Sequence, residues 1–139
     1  MTVIIKKIIA IFAVLVSFFI SGNINNVSLS IEEPVEISSQ KIIVNYKNET
    51  GKYITQPYLL SFEKYTDGEW KEIGNGEYPM PEMAKKILPT EEGKISITLN
   101  QLGVDCFSKG EYRITIAYEV ILNKTNEFGS SNITFEIQK

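Results

Sequence analysis

Histidine is absent from the 139 residues, and cysteine and arginine each occur once. The lack of histidine removes the usual general base at neutral pH. It also removes Ser–His and Cys–His nucleophile pairs and every histidine-containing zinc site. Cys106 has no second cysteine with which to close an internal disulfide. A net charge of -3 with Arg113 as the single arginine is a poor match to a phosphate backbone, so nucleic acid is set aside as a partner. Asp67 and Asp105 are the only aspartates, too few and too far apart for a calcium loop. There is no glycine-rich phosphate loop, no internal repeat and no low-complexity tract. Catalysis would therefore rest on a carboxylate pair. Glu69, Glu72 and Glu77 are close in sequence, but such clusters are common on acidic surfaces. The expectation is a protein that is not an enzyme, with no catalytic, cofactor-binding or metal residues and no cofactor.

What is present is strand-forming. Isoleucine, valine, threonine and tyrosine dominate the ordered-looking stretches. The clearest is residues 109–121. Tyr112, Ile114, Ile116 and Tyr118 fall on one face, and Glu111, Arg113, Thr115, Ala117 and Glu119 on the other. A period of two is what a strand with one dry face requires. Ser108, Lys109 and Gly110 give a turn just before it. This reads as the penultimate strand of a two-sheet sandwich, with Tyr112 at the corner where the chain enters from the other sheet and its hydroxyl bonded to main chain in residues 102–109.

The amino terminus is different. Lys6 and Lys7 precede an uncharged apolar run over residues 8–20, followed by Ser21, Gly22 and Asn23. This is the layout of a secretory signal peptide, and the run is short of the roughly 20 residues of a membrane span. Residues 1–22 are expected to be a cleaved signal, with an uncleaved amino-terminal membrane anchor as the rival. No cysteine lies near this boundary to carry a lipid. Residues 23–139 form one domain, with a net charge of about -5 once Lys6 and Lys7 are gone.

Within that domain residues 27–31 open an edge element, and Pro34 bends it or keeps it at an edge. Ile42, Val44 and Tyr46 point inward from the next strand. Tyr58, Leu60 and Phe62 are expected inward from the one after. Asp67-Gly68 makes a tight hairpin to the strand holding Trp70, the only tryptophan, expected over the core edge, with stacking on a ligand as the alternative. Residues 74–89 are irregular and proline-rich, with Pro81 able to start one helical turn. Ile95, Ile97 and Leu99 point inward. Cys106 is expected as a small core residue. Residues 123–129 are expected as a loop, and Ile133, Phe135 and Ile137 close the core. About seven short alternating strands make an all-β two-sheet sandwich.

The order of these segments carries a resemblance. A strand ends in Asn48; then come Leu60-Ser61-Phe62-Glu63-Lys64, Asp67-Gly68-Glu69-Trp70, Leu88-Pro89, Gly110-Glu111-Tyr112-Arg113-Ile114 and Thr134-Phe135-Glu136-Ile137. This resembles a family of bacterial immunoglobulin-like domains found in small exported proteins. The resemblance implies an immunoglobulin-like sandwich without a disulfide and without catalytic residues. The Met-Pro-rich connection between Trp70 and Leu88 departs from the family pattern by its length. The resulting expectation is an exported, monomeric, non-catalytic module, secreted or on the outer face of the cell envelope, acting through contacts with an unidentified protein or surface partner. It touches the membrane only if residues 1–22 are retained. The alternative is an inhibitor or ligand-binding protein using residues 74–89, with Tyr78, Met80 and Met83 as partner contacts; the plainer expectation for these three side chains is that the loop tucks them against their own domain.

Overall fold

A computed structural model describes residues 26–32, 34–74, 78 and 85–138. The segment expected to be a signal, the helical turn expected at Pro81, and Met80 and Met83 lie outside these residues.

Nearly all the regular structure of the described residues is strand. One sheet has three strands in the order β1 (Val27–Ile31), β2 (Lys41–Asn48), β7 (Glu92–Thr98). The other has six, built on β8 (Gly110–Ile121). β3 (Ile54–Thr55) and β4 (Tyr58–Thr66) lie end to end along one side of β8, and β9 (Asn126–Ile137) pairs its other side. β5 (Glu69–Glu72) flanks β4, and β6 (Lys86–Ile87) flanks β3. Every pairing is antiparallel. The two-residue strands β3 and β6 are the additions to the seven read from the sequence.

The alternating strands do what their period dictates. Ile42, Val44, Ile97, Phe62, Tyr112, Ile114 and Ile116 meet between the sheets in one buried cluster. A second cluster toward the other end joins Val27, Tyr46, Ile54, Ile87 and Tyr118. Phe62 is ringed by Phe107, Tyr112 and Phe135 at centroid distances of 6.4, 5.7 and 6.4 Å. Such aromatic pairs add to the stabilisation from area burial.

Two places where the chain turns between sheets carry buried polar anchors. The first is Tyr112. A short helix α1 (Leu99–Leu102), capped by Thr98 and ended by Gly103 at φ 73°, leads off β7 toward β8. Tyr112 is buried, its hydroxyl donates to the Ser108 carbonyl at 2.6 Å, and the Ser108 amide donates back at 3.3 Å. The corner expected from the sequence is therefore in place. The second is Asn48, at the far end of β2 and fully buried. Its Nδ2 donates to the carbonyls of Lys52 at 2.7 Å and Leu88 at 3.0 Å. Its Oδ1 accepts from the Thr50 hydroxyl at 2.6 Å and amide at 3.1 Å.

Three local expectations are corrected. Tyr58 and Leu60 do not point inward. The β4–β8 register shifts between Leu59 and Ser61, so one extra residue bulges from β4. The bulge sends Leu59 to the core and leaves Leu60 44% exposed. Cys106 is exposed rather than a core residue, because its neighbour Phe107 takes the inward position. Residues 126–129 are strand rather than loop: β9 pairs with β8 all the way to Asn126, leaving residues 122–125 as a tight turn closed by a 3.1 Å bond from the Leu122 amide to the Thr125 carbonyl.

Both anchors make predictions. Tyr112→Phe should lower unfolding free energy by about 1–2 kcal/mol, through the lost bond and the orphaned Ser108 carbonyl. Asn48→Ala strands several buried groups at once and should cost about 3 kcal/mol. Urea denaturation of each variant checks both, and an unchanged midpoint would remove the residue from its anchoring role.

Candidate functional site

The two outer faces of the sandwich are chemically unlike. The three-stranded sheet presents Ser30, Lys41, Glu92, Lys94 and Ser96, all exposed. Lys94 pairs with Glu32, whose carboxyl it holds below the usual carboxylate range. The six-stranded sheet mixes charges and hydroxyls on its outside with large apolar side chains. Among the described residues, five large apolar side chains stand exposed, and four of them are Tyr53, Leu60, Tyr65 and Phe128. Register places these four on the outer face: Tyr53 sits against Ile121, one step outside buried Ile54; Phe128 pairs with Glu119, one step outside buried Tyr118; and Tyr65 pairs with Trp70. Leu60 is the residue extruded by the bulge.

The best-organised part of this face surrounds the Asp67-Gly68 turn. Asp67 at φ 53° and Gly68 at φ 82° adopt the left-handed conformations that a two-residue hairpin demands. That turn sets Tyr65 opposite Trp70, ring centroids 5.3 Å apart and tilted by 66°. From β8 the Arg113 guanidinium lies over the Trp70 ring at 4.5 Å. The same guanidinium holds Glu63 through Nε and Nη2, each at 2.9 Å from Oε1. Cation–π contact and ion pair together lock Arg113 flat against the sheet, which keeps Trp70 ordered without burying it. Trp70 was expected over the core edge; it lies instead on the outside of the sheet.

The residue singled out in the irregular connection behaves differently. Tyr78 is half-buried against the main core cluster, and its hydroxyl donates to Glu72 Oε1 at 2.6 Å. It borders an open cleft of about 280 Å³ between β7 and residues 56–59. Burial, reinforced by the Glu72 carboxylate, raises its pKa above the ordinary tyrosine value. Four surface clefts lined by described residues each hold at most one carboxylate, and no group of three metal-ligating side chains occurs among the described residues.

The Tyr65–Trp70–Arg113 group was open to sequence reasoning. A two-residue turn at 67–68 forces 65 and 70 opposite each other, and the outward phase of Arg113 follows from Tyr112 and Ile114. Leu60 was not, because the bulge has no local marker. Phe128 was hidden by the expected loop.

A two-layer antiparallel sandwich with a buried corner tyrosine has the architecture of an immunoglobulin-like domain. The family model described as bacterial Ig-like domain matches residues 23–136, and the chain belongs to that family. Comparisons with curated proteins and with solved structures return no match.

Two outcomes are expected here. Arg113→Ala should cost about 1–2 kcal/mol, from the ion pair and the cation–π contact, and should shift Trp70 emission to the red as the ring is uncovered. Tyr78→Phe should cost about 1 kcal/mol at neutral pH. A tyrosine whose pKa is raised by folding contributes fully below the unfolded value of about 10 and loses that contribution as pH rises. Tyr78→Phe should therefore narrow its deficit against the parent in urea titrations as pH goes above about 10; a deficit that stays constant would contradict a tyrosine pKa raised by burial beside Glu72.

Proposed function

We propose that this bacterial Ig-like domain is an exported, non-catalytic module that meets a partner protein at the cell surface or in the medium, using the outer face of its six-stranded sheet. The observation that carries this reading is that Leu60, Tyr65 and Phe128 stand exposed among the charges and hydroxyls of this face, whereas the described residues of the three-stranded sheet expose no large apolar side chain. Tryptophan, tyrosine and arginine are the residues on which binding energy concentrates. Here Tyr65, Trp70 and Arg113 are already held in place, so a partner would find them with little ordering cost. Residues 8–20, an apolar run behind Lys6 and Lys7, support export. Tyr78 supports contact through residues 74–89 less well, since its hydroxyl and part of its ring are engaged within its own domain.

A photo-crosslinking residue placed at Tyr65, in the native host, should trap a partner that the same residue at Asn45 on the other sheet does not. Equal capture at both positions would remove the preference for this face. Mass spectrometry of the native protein should find a chain starting near Asn23; recovery of Met1 in the membrane fraction would replace secretion by anchoring.

A further inference from the structure

β9 is the longest edge strand among the described residues, and its twelve pairs with β8 run without a register shift. The turn bond between Leu122 and Thr125 sets the hydrogen-bonding phase of the hairpin. Glu127, Gly129, Ser131, Ile133 and Phe135 direct their backbone groups to β8. Phe128, Ser130, Asn132, Thr134 and Glu136 direct theirs outward, away from the sheet. The Ile121 amide confirms this phase, since it bonds Tyr53 on the opposite side of β8.

Proteins blunt such edges with charge, proline, bulges or brevity. The other edges here show these devices. β1 has five residues and is followed by Pro34, β5 has four with Glu69, Lys71 and Glu72, and β7 carries Glu92 and Lys94. Along β9 the charges are confined to Glu127 and Glu136 near its ends, and the stretch between them has no charge, proline or bulge.

We propose that β9 pairs with β9 of a second copy of this chain, antiparallel, about a two-fold axis passing through Asn132. The pattern is self-complementary about that point, as an isologous contact requires. Outward-bonding residues then meet one another: Asn132 faces its own copy, Ser130 faces Thr134, and Phe128 faces Glu136. Each acidic residue meets a neutral one, because Glu127 falls opposite Ile137, so no like charges confront each other. Hydroxyl and amide side chains opposite one another hydrogen-bond across antiparallel strands. Phe128, 61% exposed, and half-buried Ile133 and Phe135 gain cover. A contact made by one edge buries little area, so the association is weak and dependent on concentration. It replaces, at high concentration, the monomer expected from the sequence, and it uses the sheet edge rather than the Tyr65–Trp70 face.

Sedimentation of the full chain in a mild detergent tests this. The parent should pass from monomer to dimer as concentration rises toward about 1 mM, where even a millimolar association is visible. Asn132→Lys and Asn132→Glu should each remain monomeric, since each puts like charges face to face on the axis. An equimolar mixture of the two variants should recover the dimer. Asn45→Lys on the other sheet should behave as the parent does. A parent that stays monomeric throughout overturns the proposal, and so does a dimer that Asn132→Lys leaves intact. Failure of the mixture to recover it overturns the assigned axis. Circular dichroism confirms that each variant is folded.

Discussion

Asn48 ends β2 out of contact with solvent, and its side-chain amide supplies hydrogen bonds that the backbone cannot make for itself at that end of the sandwich. A sandwich must send its chain from one sheet to the other, and at each crossing peptide groups leave a ladder while still buried. Orphaned, each would cost about 1–3 kcal/mol. Asn48 reaches the turn that follows it through Lys52 and Thr50, and the approach to β7 through Leu88. Its own backbone bonds Thr90 and Glu91. One residue therefore joins two loops that lie about forty positions apart in the chain. Tyr112 does the equivalent work at the opposite corner with a hydroxyl, where a single connection has to be tied down. The apolar layers between these corners could slide or splay; the two polar anchors give them one register.

With both ends held from inside, the two outer faces differ in what they expose. The outside of the six-stranded sheet contains an ordered polar–aromatic group that contributes to the core only through the strands beneath it. Glu63, Arg113, Trp70 and Tyr65 come from three adjacent strands and hold one another by short contacts. Arg113 and Glu63 are themselves largely covered, so their pair supports the sheet while it holds the Trp70 ring in place on the outside. A prepared aromatic surface on a rigid sheet fits the family's character as an interaction module.

Much of the architecture was legible because alternation is a strong signal when one face of a strand is dry. Ile42, Val44, Ile97, Tyr112 and Ile114 went where their period sent them. Tyr112 could be placed at a corner because a glycine-containing turn precedes it and a buried phenol needs a carbonyl. The role of Asn48 was not legible. Asparagine at the end of a strand reads as a turn residue, and nothing local shows that its partners Ile87 and Leu88 lie near it in space. β3 and β6 were missed for a related reason: two residues make no period, and these strands exist because β8 and β3 offer a ladder to join. The turn at 122–125 was overestimated because Asn126, Glu127 and Gly129 are poor strand formers. Long-range pairing with β8 overrides that preference, and Gly129 lies where the Tyr118 ring leaves no room for a Cβ.

The bulge in β4 joins fold to surface most directly. A regular strand that buried Phe62 would also bury Leu60 and turn Leu59 outward. The inserted residue breaks that phase, so that Leu59 and Phe62 both serve the core while Leu60 joins the outer face. Two neighbouring leucines are thereby assigned to opposite sides of one sheet. Leaving Leu60 44% exposed gives up part of the burial that is worth about 1.5–3 kcal/mol for a fully covered leucine. Bulges re-aim side chains next to functional surfaces. This one adds Leu60 to the exposed apolar side chains of the face that carries Tyr65, with Ser61 and Glu63 between them.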